Sequence, residues 1–401
     1  MAKKGKDLLA GLFDEAVKSV QGAGGHPMMN LRTMQDRYGV PRYCSSGYPS
    51  WDLHMMHDAM NKQWGFPYGR ISELFGAQSS LKTRTCYELL AENIKLGGHS
   101  YFLTFEMDFD ESYASEFLRK RNIKAGTDDL DYGAKPIVSM LELDKTVTAI
   151  LKPYKIVADS LEKAGKNPLE HLPPILIAMD SMGALLSHGD KERLESDKKK
   201  LGFDNGKQVG QKASEIHNFF QKHMLDFARL GVLFVYTNHY RDNIGFGRKK
   251  YNPAHDSALK YYRTMQLEMK RGYDKDLSNE RSSLTVSYRD GWPLTVKIRK
   301  TRNAQTLAGE FEIPFYENRG LDYTQSLLDA GKMSDVAPRK SGKYVIDFPK
   351  KHSLHKWNGD YAEASFKDLI NSDVEFRVLL ERACMRAGPK VAQDEIVTQR
   401  E

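Results

Sequence analysis

Between Gly76 and Thr83 the chain reads GAQSSLKT, and these residue types at this spacing are those that hold phosphate. The stretch fits the phosphate-loop pattern G-x-x-x-x-G-K-[ST] at every defined position but one, because Leu81 stands where the second glycine belongs. In such a loop backbone N–H groups at a helix start attract phosphate oxygens, Lys82 supplies a point charge and Thr83 a hydroxyl ligand for Mg²⁺. A leucine before the lysine is tolerable if it has right-handed helical dihedrals, since only a left-handed residue carries a steric cost of about 1 kcal/mol or more. Gly76, Ser79, Ser80, Leu81, Lys82, Thr83 and Arg84 are therefore the candidate nucleotide contacts. Taken alone, the same residues also describe an ordinary Ser/Thr-capped helix.

Three further stretches supply complementary chemistry. PPILIAMDSMGALL (173–186) is an apolar run ending in Asp180 and Ser181, and a carboxylate at a strand end beside the loop can support Mg²⁺ through water. YFLTFEMDFDESY (101–113) places Glu106 at another strand end, where a carboxylate can act as general base toward the water attacking a γ-phosphate but taken alone is more often a solvated residue, and Tyr113 can stack on a purine or equally pack in the core. VLFVYTNHYRDNIGFGRKKYNPAHDSALKYY (232–262) runs a strand through Asn238 and His239, positioned to sense a γ-phosphate, into a basic and aromatic loop. That loop, about 241–256, offers Arg241, Arg248, Lys249 and Lys250 for phosphates and Phe246 and Tyr251 for bases. A second polar loop, about 187–211, carries Lys198, Lys199 and Lys200, with Lys212 just beyond it. Two basic loops leaving neighbouring strand ends would form one DNA-facing edge; each alone reads more readily as a solvated face.

Positioning such residues requires parallel strands alternating with helices. Strand patterns occur at 70–75, 100–105, 175–180, 232–238 and 264–269, and helical patterns at 84–96, 111–122, 142–165, 211–229 and 363–386. Runs at 284–289, 294–300 and 310–316 read as an antiparallel extension. The expected fold is thus α/β, a mostly parallel central sheet with an antiparallel extension, a small amino-terminal helical segment and a small carboxyl-terminal α+β part. The expected division is 1–44, 45–325 and 326–401. With 401 residues, 40% of them apolar, the chain can bury a sizeable core. The net charge of +7 is too modest to argue for nucleic acid by itself. The three scattered cysteines lack metal-ligand spacing and suit a reducing cytosol. No apolar run is long enough to span a membrane, and the amino-terminal stretch reads as a short amphipathic helix kept in the mature protein.

The order of these motifs resembles that of RecA-type recombinases, from SSGYPSWDLHMM (45–56) to GEFEIPFYENRGLDY (309–323). PYGRISELFGAQSSLKT (67–83) is similar to the family's Gly-Arg-Ile strand with its phosphate loop, and SALKYYRTMQLEMKR (257–271) to the stretch after its second DNA loop. Within the family the chain looks most like bacteriophage UvsX-type proteins, which also carry a bulky residue before the lysine and a His after the Asn. The resemblance implies a RecA-like ATPase core that binds ATP and Mg²⁺. Lys82 and Thr83 would bind phosphate and metal, Glu106 would position water, Asp180 would support the metal, and Asp110 and Tyr113 would hold adenine. His239 would relay the γ-phosphate to the DNA loop, while Lys300 and Arg302 in VKIRKTR would reach a neighbouring protomer's ATP. The implied activity is DNA-dependent ATP hydrolysis coupled to homologous pairing and strand exchange in recombination, repair and recombination-dependent replication. The implied assembly is a homo-oligomeric helical filament on single-stranded DNA, in the bacterial cytoplasm during phage infection, docked through the helix at about 5–20 and the segment near 42–50. Homologous double-stranded DNA would be a partner, as would mediator and single-stranded-DNA-binding proteins, but no membrane. The rival readings are a RecA-fold replicative helicase and a catalytically idle DNA-coating protein.

Overall fold

The computed structural model describes residues 31–58, 63–105, 132–190, 208–241, 252–272, 291–302, 309–317 and 319–390. Its centre is a ten-stranded sheet. In chain order its strands are β1 (Ile71–Gly76), β2 (His99–Thr104), β3 (Tyr132–Pro136), β4 (Ile175–Asp180), β5 (Val232–Arg241), β6 (Asn252–Pro253), β7 (Met265–Arg271), β8 (Gly291–Thr301), β9 (Glu310–Tyr316) and β10 (Gly320–Leu321). Across the sheet the order is β10-β9-β8-β7-β1-β5-β4-β2-β3, with β6 paired to β5. The six strands from β7 to β3 run parallel, and β8, β9 and β10 continue antiparallel. This is the mostly parallel sheet with antiparallel extension expected from the sequence.

The central strands are apolar on both faces because helices cover both. In β4 the alternation is visible residue by residue. Leu176 and Ala178 join one buried cluster, which includes Leu89 and Leu90 of the helix Lys82–Lys95. Ile175, Ile177 and Met179 join the other, against the helices Met140–Lys163 and Gln208–Leu230. A third cluster gathers Leu327, Tyr344, Trp357, Phe366 and Phe376 of the carboxyl-terminal elements, together with Leu53 of the helix Pro49–His54. Residue 325 lies within the helix Tyr323–Met333. All three cysteines are buried, Cys44 and Cys86 in the first cluster and Cys384 in the third, and burial raises each thiol's pKa.

One expectation is corrected. The helical pattern at 363–386 is two helices, Glu363–Ser372 and Val374–Ala387, because the Asp373 carboxylate accepts the Phe376 N–H at 2.9 Å and starts a second helix. Strand β3, YGAKP, was not expected, since it carries no apolar alternation; among the described residues it pairs with β2 alone. The expected strand at 284–289 and helix at 111–122 lie outside the described residues, as does the amino-terminal helix at 5–20.

The segment preceding the phosphate strand is anchored to the core by polar contacts. Tyr48 Oη donates to Glu88 Oε1 at 2.7 Å, and Asp52 accepts from Ser45 Oγ at 2.5 Å and from the Ser46 N–H at 2.8 Å. Asp52 is buried, and burial lifts its pKa from 3.8 to about 7 against the pull of those donors. Folded Asp52 thus holds its proton more tightly than the unfolded chain does. Its contribution to stability is present in full below pH 3.8 and is lost as pH rises through about 7. Asp52→Asn should therefore flatten the fall in thermal stability between pH 5 and pH 8. An unchanged slope in melting curves across that range would place the titration elsewhere.

Candidate nucleotide site

Strand β1 delivers the phosphate loop directly into the helix Lys82–Lys95. A Cβ on Gly76 would stand 2.1 Å from the Met269 carbonyl oxygen on β7 and 2.9 Å from Ser80 Oγ, so only glycine fits there. Ser79 (φ 58°) and Leu81 (φ 65°) are both left-handed, which turns neighbouring N–H groups toward one concavity. Among the described residues no side chain caps this helix, which leaves its first N–H groups available to a ligand in the loop. Lys82 is buried, with Nζ donating to the carbonyls of Gly76 (3.1 Å) and Ala77 (2.6 Å) and to Ser80 Oγ (3.3 Å).

Leu81 departs from the expectation of right-handed dihedrals. At φ 65°, ψ 19° it occupies the conformation for which the motif's glycine is suited. The strain is about 1–2 kcal/mol. Its half-buried side chain packs against the first apolar cluster, an offset of similar size.

Gln78, Ser79, Ser80, Leu81, Lys82, Thr83, Arg84, Asp180 and His239 line a cleft of about 340 Å³. Thr83 Oγ1 donates to Asp180 Oδ2 at 2.5 Å, and Thr237 Oγ1 donates to Asp180 Oδ1. A hydroxyl and a carboxylate at this separation are the hard oxygen donors that suit Mg²⁺, and the uncapped helix start suits phosphate, so the residues fit a magnesium nucleotide. Ser181 Oγ, adjacent to Asp180, is buried without a hydrogen-bond partner among the described residues. His239 lies opposite Gly76 in the β1–β5 register, and its N–H donates to Asn238 Oδ1 at 2.9 Å. Asn238 Nδ2 in turn donates to Glu73 Oε1 (2.9 Å) and to the Ala254 carbonyl (2.8 Å). Burial raises the Glu73 carboxyl pKa, opposed by Arg263 and by the amide donors of Asn238 and Gln266. Arg84 spans the cleft rim toward Phe315, its guanidinium 5.3 Å from the ring centre.

Lys300 and Arg302 do not join this cleft. Strand β8 is antiparallel to β7, so Lys300 sits opposite Gln266, itself level with Glu73, and Thr301 is level with Met265 and Ser72. The pair therefore lies toward the end of the strands where β1 begins; from Ser72 to Gly76 is four residues, roughly 13 Å along the strand. There Lys300 Nζ donates to the Lys260 carbonyl and Arg302 Nη2 to the Tyr261 carbonyl.

Lys212 is in the helix Gln208–Leu230, and its Nζ donates to the Gly183 carbonyl at 2.7 Å. Burial lowers its pKa to about 8, against the opposing pull of Asp190 and Glu215. That ammonium holds the turn after Asp180. Arg241 ends β5, and Arg241 and Tyr240 pair with Asn252 and Pro253 to close the base of the basic loop. Glu106, Asp110, Tyr113, Lys198, Lys199, Lys200, Phe246, Arg248, Lys249, Lys250 and Tyr251 lie outside the described residues. Phe105, immediately before Glu106, donates its N–H to the Asp180 carbonyl at 2.7 Å.

No protein-family model matches the chain. Among curated proteins it aligns over 283 residues, 70% of its length and 69% of the relative's, at 27% identity with protein RecA of Caldanaerobacter subterraneus. The chain is similar to RecA proteins. RecA of Campylobacter fetus is 26% identical over 290 residues, 71% of either chain, and RecA of Aquifex pyrophilus 28% over 228, covering 56% of this chain and 55% of that protein. Likeness to RecA accords with the RecA-like α/β core. No described helix is long and apolar enough to cross a membrane.

Sequence reasoning missed Gln78 in the cleft wall, Thr237 under Asp180, and the Glu73–Arg263 pair, whose side chains meet at 2.5 Å. A glutamate inside the apolar run ISELFG was the available signal for Glu73. The balance at Leu81 is testable. Leu81→Gly should change stability by no more than about 1 kcal/mol, whereas Leu81→Val, β-branched in a left-handed position, should destabilise by more. Thermal melts in which the valine variant matches the parent would refute the strain.

Proposed function

We propose that the chain is an ATP-dependent DNA recombinase of the RecA type, nearest in character to the bacteriophage UvsX-type proteins. It polymerises as a helical filament on single-stranded DNA and exchanges that strand with a homologous duplex, in recombination, repair and recombination-dependent replication. The observation that carries this reading is the arrangement of two charged groups on one sheet. The phosphate cleft opens at the carboxyl ends of β1, β4 and β5, while Lys300 and Arg302 stand toward the opposite end of the strands. A basic pair that stands away from its own protomer's nucleotide can serve another's, and head-to-tail stacking of identical subunits provides that geometry.

When bound, Mg²⁺ would neutralise phosphate charge. The N–H groups of 79–83 and the Lys82 ammonium orient the β- and γ-phosphates, and Thr83 and Asp180, whose side chains meet in the cleft, would hold the metal. Glu106, which follows a residue anchored to the Asp180 main chain, accepts the proton of the attacking water. Arg84, Asp110 and Tyr113 contact the nucleoside. His239 senses the γ-phosphate at the head of the loop that binds DNA, and Lys300 and Arg302 of the adjacent protomer stabilise transition-state charge. Loops at about 187–211 and 241–256 hold DNA, with 1–44 docking on the next subunit and 326–401 as a carboxyl-terminal domain. Mediator and single-stranded-DNA-binding proteins would act with it in the cytoplasm.

Electron microscopy with ATP and single-stranded DNA should show helical filaments, and closed rings that unwind duplex DNA would overturn the reading. Lys82→Ala should abolish ATP hydrolysis stimulated by single-stranded DNA, and Glu106→Gln should keep nucleotide binding while slowing turnover about 10²–10⁴-fold. Lys300→Ala should cost about 10³-fold or more, and mixing it with Lys82→Ala protein should restore activity at hybrid interfaces. Mixtures that stay inactive would remove action in trans. Replacing Arg248, Lys249 and Lys250 together by alanine should lower the salt slope of single-strand binding by about 2.

A further inference from the structure

Beneath the sheet's exposed edges lies a buried polar ladder that the roles above leave unused. Glu73, fully buried in the middle of β1, accepts from Asn238 Nδ2 on one oxygen, and from Arg263 Nη1 (2.5 Å) and Gln266 Nε2 (2.9 Å) on the other. Arg263, only 4% exposed, extends its second arm to Asp256 Oδ1 at 2.5 Å. The segment from Ala254 to Thr264 therefore has two attachments. Its first residue is held beside the nucleotide cleft, where the Ala254 N–H donates to the His239 carbonyl (3.0 Å) and the Ala254 carbonyl accepts from Asn238. Its last lies at the opposite end of the strands, where the Thr264 N–H donates to the Ile71 carbonyl (2.8 Å). Between them the Lys260 and Tyr261 carbonyls hold Lys300 and Arg302.

A buried ion pair of this kind contributes little net stability compared with apolar residues of the same volume, so its presence needs another cause. It has discrete geometry, and it joins the strand that senses phosphate to the segment that seats the two cations. From this we infer that the Arg263–Glu73 pair is a positioning device, which fixes Lys300 and Arg302 for the neighbouring protomer in register with the state of Asn238 and His239 in its own. Nucleotide in one site is then linked to the cations offered to the next. This rests on the proposal that Lys300 and Arg302 act in trans.

The test uses the full-length chain with Glu73→Gln and Arg263→Met combined, which removes both charges and keeps volume, and separately Asp256→Asn, which loosens Arg263 without leaving a deeply buried charge unpaired. Binding of a fluorescent ATP analogue should stay within about twofold of the parent, while hydrolysis stimulated by single-stranded DNA falls tenfold or more in the double variant and less in Asp256→Asn. Adding Lys300→Ala to the double variant should cost under threefold further, because the cation is already misplaced. Mixing the double variant with Lys82→Ala protein should recover turnover, since the Lys82→Ala subunit supplies correctly seated cations to an intact cleft. Multiplicative losses with Lys300→Ala, or no recovery in mixtures when Lys300→Ala itself recovers, would overturn the inference and leave the proposed function standing. If Lys300→Ala also fails to recover, action in trans falls and this inference with it.

Discussion

The register of β1 between its two parallel neighbours is the constraint on which the rest depends. It sets Gly76 level with His239 on one side and Met269 on the other, and it brings the Met269 carbonyl so close that no side chain could stand at position 76. A slip of one residue would turn Ile71, Glu73 and Phe75 to the opposite face and point the loop away from Asp180. Both faces of the strand are buried, so such a slip is strongly disfavoured. The loop's geometry is thereby inherited from the core and not left to the loop itself.

That inheritance explains how the chain tolerates costly features. A left-handed leucine, a buried lysine donating to loop carbonyls and two carboxylates buried in the sheet each oppose folding on their own. Each is offset locally. Leu81 packs on apolar neighbours, Asp180 accepts from two threonines, and Glu73 accepts from an arginine and two amides. The offsets are directional, so the polar groups are held in one arrangement.

Much of this was legible in the sequence. The runs ILIAMD and EFEIPFY are strands with the boundaries read from their apolar pattern, since a strand buried on one or both faces leaves few alternatives. The phosphate loop was legible from spacing, and Asp180 from its place at a strand end. What was not legible depends on partners distant in the chain. Lys212 is oriented by the Gly183 carbonyl 29 residues away, and Arg263 takes meaning only from Glu73, 190 residues earlier. Strand β3 forms because β2 offers an edge, which no pattern within YGAKP announces.

The three thiols have a practical consequence. Each lies at 0% exposure, and burial disfavours its thiolate, the only form that attacks alkylating or oxidising reagents. The native chain should therefore ignore a maleimide dye for as long as it stays folded. A single cysteine introduced on a solvated helix can then carry a fluorophore with every natural residue left in place.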